Sequence, residues 1–567
     1  MLWSLSIFFP PLLLAFFNLP LTAVGTPLQG ETSYRRLSPR QPPPPPPPVN
    51  STLQVCAPLL NKLGPPIVIT PFDFAFREAA NNAWNLYNTL YTPTCIIHPK
   101  RAEDVQRVME AIYQAGGVKY AVQAGGHSAM REWDTTEDGV LISFADMTNV
   151  SYDATRDTIN LQPGVRWGEA IAYLEPFGVA PLGGRLGDVG TGLLLGGGLS
   201  YLSARHGFSV DALVEADVVL VDGRLVTANA TNEYADLFKA LKGGANRFGI
   251  VTRYEVKAIH VGTNEEKMMV GGSVIYDNST TEALLRATAN YVNNVEDSNT
   301  SLLVIIGATM DNNTVSPVNV ITFFYNGTSL PEGFANPYHE FLSLPYLASA
   351  VGSYSYAEAN SVLGSGGDKG SGQAFGASAF GSAEWDISQG LVNDEEESFE
   401  SFPASPTWSF PTYPYPSPTA PMPTYPTPST TPRPLPPVPI SFIDDPSADG
   451  VAAALLAFTP VLKSQVEASR KAGGNVIDPP LTNYALVQFH VTMPEWLGIM
   501  PRRVIEARKE VLKELSASAG LPLYMNECDS EQNVFATYGQ YEFLKNVYKK
   551  YDPTGINMRF MKGPPGL

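Results

Sequence analysis

The chain has 567 residues, 44% of them hydrophobic, and a formal net charge of −18. That length leaves room for two or three domains, and the composition is ordinary for a soluble globular enzyme. The charge argues against a nucleic-acid or anionic-membrane partner, because phosphate contacts need a surplus of Lys and Arg; its plain role is solubility.

Residues 1–25 are apolar and carry no Lys or Arg; Pro10, Pro11 and Pro20 interrupt them, and Ala23 and Gly25 stand where cleavage would fall. This reads as a signal peptide of a secreted protein, with no stable membrane association expected. The rival reading is a membrane anchor, since the run is nearly long enough to span. Residues 26–50 end in the seven prolines Pro42 to Pro48, an extended spacer that cannot join a packed core. Three cysteines are too few for a disulfide scaffold, but an oxidising compartment allows one bridge, and Cys56 with Cys95 is the first choice. N-x-[ST] sequons begin at Asn50, Asn149, Asn229, Asn278, Asn299, Asn312 and Asn326, and they agree with secretion.

From residue 51 onward, strand and helix patterns alternate. Val105, Val108, Met109 and Ile112 recur at helical spacing, and Gly116 and Gly117 stop that helix. A short strand, Tyr120 to Gln123, then runs straight into a glycine pair. Further strands are expected at 139–144, 158–162, 214–221 and 249–257, with a helix from Glu233 to Leu241. Beyond 260, hairpin-like strands at 302–310 and 318–325 mix with helices expected at 282–293, 449–470 and 502–517. The fold class is therefore α+β. A tract at 394–440 opens on acidic residues and continues proline-rich, which forbids helix and sheet alike. It reads as a disordered insertion, with translated intron as the alternative.

Two glycine turns carry the chemistry. In VQAGGHSAM (122–130), Gly125 and Gly126 let successive backbone N–H groups converge on a pyrophosphate, and His127 follows at once. In PLGGRLGDVGTGLLLGGGLSYLSARHG (181–207), the glycines imply backbone packed against something flat or charged. Neither turn has the spacing of a Rossmann fingerprint or a P-loop.

These turns, with TPTCIIHPKRAEDV (92–105), DALVEADVVLVDGRLVT (211–227) and LFKALKGGANRFGIVTRYEVK (237–257), resemble the FAD-binding domain of the vanillyl-alcohol-oxidase/PCMH flavoproteins, berberine-bridge-like members among them. The C-terminal YMNECDSEQNVFATYGQYEFLKNVYKKYDPTGINMRF (524–560) is similar to that family's closing segment. The resemblance implies an FAD-binding domain of two α/β subdomains at 91–260, preceded by its N-terminal part at 51–90. It further implies a substrate domain with an antiparallel sheet and helices, split by the tract into 261–393 and 441–523, and a segment 524–567 returning to the FAD domain.

It also implies FAD joined at its 8α-methyl to His127, a tether that keeps the cofactor outside the cell; the alternative is His127 beside a non-covalent FAD. A second, cysteinyl tether is excluded, because the matching position falls near Leu186 and no cysteine lies between Cys95 and Cys528. Cofactor contacts are expected from Ala124, Gly125, Gly126, His127, Ser128, Gly190, Thr191, Gly192, Gly196, Gly197, Gly198, Ile250, Val251 and Asn526. Tyr524 is the candidate catalytic base or proton partner. The family's Tyr-x-Asn element is present, but Glu527 and Cys528 follow where many relatives read Tyr-Ala.

In the strand 484–491, alternation sets Gln488 and His490 on one face, toward either a substrate pocket or solvent. The remaining histidines have no metal-ligand spacing, so no metal is expected. The function implied is oxidation of a small alcohol, saccharide or secondary metabolite by hydride transfer to FAD, with oxygen as a final acceptor. The alternative is a secreted flavin-binding protein without turnover.

Overall fold

The computed structural model describes residues 51–311, 314–364, 369–381 and 450–567; the expected signal peptide, the proline-rich segment 26–50 and the tract 394–440 lie outside them. Three sheets organise the described chain. The first holds β1 (Val68–Ile69), β2 (Cys95–Ile97), β3 (Tyr120–Gln123) and β4 (Val140–Ser143) in the order β1-β2-β4-β3. The β2-β4-β3 core is parallel, and its strands are short and almost wholly buried, as parallel strands covered on both faces require. Helix Ala102–Gln114 buries Val105, Val108, Met109 and Ile112 on one face. Gly116 and Gly117 end it with φ of 75° and 97°, their N–H groups returning to Tyr113 and Ile112.

The second sheet contains β5 (Val150–Asp153), β6 (Thr158–Leu161), β7 (Val179–Pro181), β8 (Leu213–Val219), β9 (Leu225–Asn229) and β10 (Ile250–His260). Its order is β5-β6-β10-β8-β9, with β7 also paired to β10. The C-terminal segment packs on this region. Buried Arg247 donates to the backbone oxygens of Asn557, Met561 and Pro564 at 2.8–3.0 Å, and the Tyr120 hydroxyl reaches the Asn557 side chain.

The third sheet is antiparallel: β11 (Met269–Tyr276), β12 (Thr300–Asp311), β13 (Thr314–Asn326), β14 (Ala348–Ser349), β15 (Gly352–Tyr354), β16 (Gly372–Gly381), β17 (Ala453–Val461) and β18 (Tyr484–Met493). The order is β14-β11-β13-β12-β17-β18-β16, with β15 beside β11. One face packs Val304, Leu456, Phe458, Val487, Phe489 and Val491 into a core shared with helices Thr281–Asn294 and Arg502–Glu514. The helix expected at 449–470 is corrected by this sheet. Residues 453–461 are a central strand, and only Lys463–Lys471 is helical. An Ala- and Leu-rich run favours helix locally, but pairing on both sides, to β12 and β18, outweighs propensity.

Among the described residues no helix is long and apolar enough to cross a membrane. Cys56, on helix Ser51–Leu63, is bonded to Cys95 on β2 with Cα atoms 6.1 Å apart, and Cys528 is a buried free thiol.

Candidate functional site

A cavity of about 640 Å³ opens between the two glycine turns and the third sheet. This falls within the roughly 300–1,000 Å³ usual for cofactor and ligand sites. Its first wall is the turn after β3. Ala124, Gly125, Gly126, His127 and Ser128 all border the cavity, and Gly126 takes a φ of 71° that a side chain would strain. Trp84 fixes this turn twice: its backbone N–H donates to the Gly126 carbonyl oxygen at 2.8 Å, and its ring stacks on His127 at 4.2 Å and 12°. The His127 ring is thereby held in one orientation at the cavity wall.

The second wall is the longer glycine turn, where Gly190, Gly192 and Gly196 border the cavity. Gly125 and Gly190 pack backbone to backbone; a Cβ on Gly190 would stand 2.5 Å from Gly125 N, and one on Gly125 would stand 2.7 Å from Gly190 N. Gly190→Ala is therefore expected to push the two turns apart, costing about 1–3 kcal/mol of stability and most of the cofactor occupancy. Urea unfolding and flavin content measure both.

Thr191, Gly197 and Gly198, expected as cofactor contacts, do not border the cavity. The Thr191 hydroxyl donates inward to the Pro163 oxygen at 2.7 Å. Gly197 and Gly198, with φ of 104° and 79°, turn the chain away and accept from Val210 and Ser209 N–H at 2.8 and 3.0 Å. Ile250 and Val251 at the start of β10 do border it, as do Tyr524 and Asn526. The Asn526 amide donates to the Leu193 oxygen and to the Tyr524 hydroxyl, each at 3.0 Å. Burial, then the Glu527 charge, lifts Tyr524 far above the ordinary tyrosine range, so it keeps its proton at neutral pH and is a hydrogen-bond donor.

The third sheet supplies the facing wall. Strand alternation presents Gln488, His490 and Thr492 of β18 to the cavity, so the pocket-facing reading of Gln488 and His490 describes their placement and the solvent-facing one does not. His490 Nε2 bonds Gln373 Oε1 at 2.6 Å, and Thr492 donates to the same oxygen at 3.0 Å. Asn85 ties this wall to the first: its amide donates to Ala129 and Gln373 oxygens, and its Oδ1 accepts from Gln373 N.

Burial, reinforced by His127, pulls His490 down to about 4. A group whose folded value lies below its ordinary 6.5 binds more protons unfolded. Stability is therefore expected to fall as pH drops from 6.5 toward 4, by on the order of 3 kcal/mol. His490→Gln should flatten that slope in unfolding measured across pH.

Four side chains at the site escaped sequence reading. Trp84 and Gln373 come from distant segments and carry no motif. Arg185 lies inside the second glycine turn without marking itself. Glu527 was visible only as a departure from the family's Tyr-Ala. Arg185 and Glu527 form an ion pair at the cavity, Nη2 to Oε1 3.3 Å, and the other Arg185 branch donates to Thr459 of β17 at 3.0 Å. Burial raises Glu527, and Arg185 opposes that rise. No group of three or more metal-ligating side chains occurs among the described residues.

Residues 93–229 match the FAD binding domain family. The chain is 34% identical to an uncharacterized FAD-linked oxidoreductase of Arthroderma benhamiae, over 50% of this chain and 55% of that protein. It is 28% identical to an FAD-dependent monooxygenase of Arthrobotrys oligospora, over 82% of this chain and 80% of that one. The chain thus spans about half the length of several of the curated relatives it matches. Glucooligosaccharide oxidase of Acremonium strictum, described with a 6-S-cysteinyl, 8α-N1-histidyl FAD, superposes with a TM-score of 0.64 at 17% identity, covering 91% of this chain and all of that one. That likeness shows a shared fold. The sheets and the glycine-walled cavity agree with the matched domain: residues 93–229 match an FAD binding domain, and the chain is similar to FAD-linked oxidoreductases and shares the fold of an FAD-carrying oxidase.

Proposed function

We propose that this protein is a secreted FAD-dependent oxidoreductase that carries FAD on His127 as a single covalent tether and oxidises a small organic substrate, with molecular oxygen as final acceptor. The observation that carries the reading is the cavity itself, walled on one side by the His127 turn and on the other by the substrate-side sheet. Its walls fit the cofactor. Ala124 to Ser128 offer converging backbone to a pyrophosphate, Gly190, Gly192 and Gly196 admit close approach, and His127 stands at the same wall. Bound there, FAD supplies a hydride acceptor.

The protein's own groups do the rest. Trp84 orients the His127 ring; the Tyr524 hydroxyl, retaining its proton, donates to a substrate oxygen; and the sheet excludes water. Secretion is supported by the Cys56–Cys95 disulfide, which belongs to an oxidising compartment, and by the signal-peptide pattern of residues 1–25. The test is the visible spectrum of the secreted protein, followed by anaerobic addition of alcohols and saccharides. Yellow protein that bleaches with one of them is expected. A folded, colourless protein that takes up no added FAD overturns the proposal, and yellow protein that none of them bleaches favours a flavin carrier without turnover.

A further inference from the structure

The cavity-facing side of the third sheet divides into two strips. Leu303 and Ile305 of β12 with Ala453, Leu455 and Ala457 of β17 form an aliphatic strip, and Phe375 of β16 adds an aromatic edge. Registration makes the strip continuous, because Ile305 pairs with Ala457 and β12 lies directly beside β17. The polar strip is Gln488, His490 and Thr492 of β18: His490 and Thr492 are already bonded to Gln373, and Gln488, level with Ala457, sets one amide at the edge of the aliphatic strip. Two residues beyond Ala457, on the same face, Thr459 accepts from Arg185, which pairs in turn with Glu527. The pair keeps 14% and 16% of its side-chain surface open, and both residues border the cavity. It presents guanidinium donors beside a carboxylate acceptor.

We infer, resting on the flavoenzyme reading, that the substrate is a largely hydrocarbon alcohol whose hydroxyl is recognised by Arg185 and Glu527 while its body lies on the Leu303–Ile305–Leu455 strip. A hydroxyl both donates and accepts, and this pair offers it one partner for each role. A saccharide would turn several hydroxyls toward the aliphatic strip, where the single Gln488 amide at its edge cannot bond them all. Each such hydroxyl weakens binding roughly ten- to a hundredfold. An apolar body instead gains from leaving water on the same surface. Glu527 is the specificity-determining acceptor here.

The experiment titrates the purified, FAD-loaded protein anaerobically with 1-octanol, geraniol and cinnamyl alcohol, and separately with glucose, cellobiose and chitobiose. It follows perturbation and bleaching of the flavin bands. The alcohols should shift or bleach the bands at concentrations at least a hundredfold below any effect of the saccharides. Glu527→Gln should raise the apparent Kd for the responding alcohol at least tenfold, with flavin content measured alongside. Leu455→Asn supplies the independent variant and should weaken the same alcohol without strengthening a saccharide. Perturbation by the saccharides instead, or by neither set, overturns the inference while the yellow protein keeps the function. An alcohol affinity within twofold of wild type in Glu527→Gln overturns the assigned role of the pair. A colourless protein overturns the reading of the function, and this inference with it.

Discussion

His127→Ala is expected to release all of the flavin on acid precipitation, where the wild-type pellet stays yellow. Only His127 and His490 among the histidines border the cavity, and His490 is pinned to Gln373 at 2.6 Å. The cysteines offer no competing tether: Cys56 and Cys95 are bonded to one another, and Cys528 is buried with its thiol directed at the Met525 oxygen at 3.1 Å. His127 also has the restricted orientation that a covalent bond needs, since stacking on Trp84 sets its ring plane. The variant should bind FAD reversibly through the remaining backbone contacts, with a lower midpoint potential than the linked cofactor. Absorbance of pellet and supernatant, then a redox titration, checks both parts. Yellow in the variant's pellet would remove His127 from this role.

Replacing Cys56 and Cys95 together by Ala should lower stability by about 3–4 kcal/mol, because the bridge closes a loop across 39 positions and restricts the unfolded chain accordingly. The effect should reach the cofactor. Cys95 lies on β2, β2 pairs with β4, β4 pairs with β3, and β3 ends at the His127 turn. The urea midpoint of the double variant, with wild type under reducing conditions as a comparison, measures the loss. A midpoint equal to that of oxidised wild type would sink the prediction.

Much of this was legible in the chain. The helix at 102–114 shows itself by four apolar residues at helical spacing and two glycines, and its burial depends on those same residues. The hairpin of β12 and β13 shows itself by apolar strand patterns; the cysteine count allows one bridge, and Cys56 with Cys95, the first choice among the three pairings, is the one the structure forms. Gln488 and His490 were separable from their neighbours by alternation alone, although alternation does not say which face meets a cavity. What stayed hidden depends on contacts distant in sequence. β17 is a strand because β12 and β18 hold it on both sides, a fact absent from its Ala-rich sequence. Trp84 acquires its role only when the chain brings it against a turn some forty residues later. Gly197 and Gly198 look the same in sequence as Gly196, but their positive φ values carry them behind the wall.

The order β17-β18-β16 governs how this protein can be shortened. β16 and β17 are both antiparallel to β18 and so run parallel to each other. Gly381 ends β16 level with Tyr484, whereas Ala453 begins β17 level with Thr492, eight residues back along β18. At ~3.4 Å per residue the chain must therefore return roughly 27 Å before it can re-enter the sheet. Joining 381 directly to 453 would tear one strand from its neighbour, whatever the composition of the residues removed. A crossover of about a dozen residues would meet that span, so the tract 394–440 can be removed for crystallisation provided the flanking residues 382–393 and 441–452 are kept to make the return.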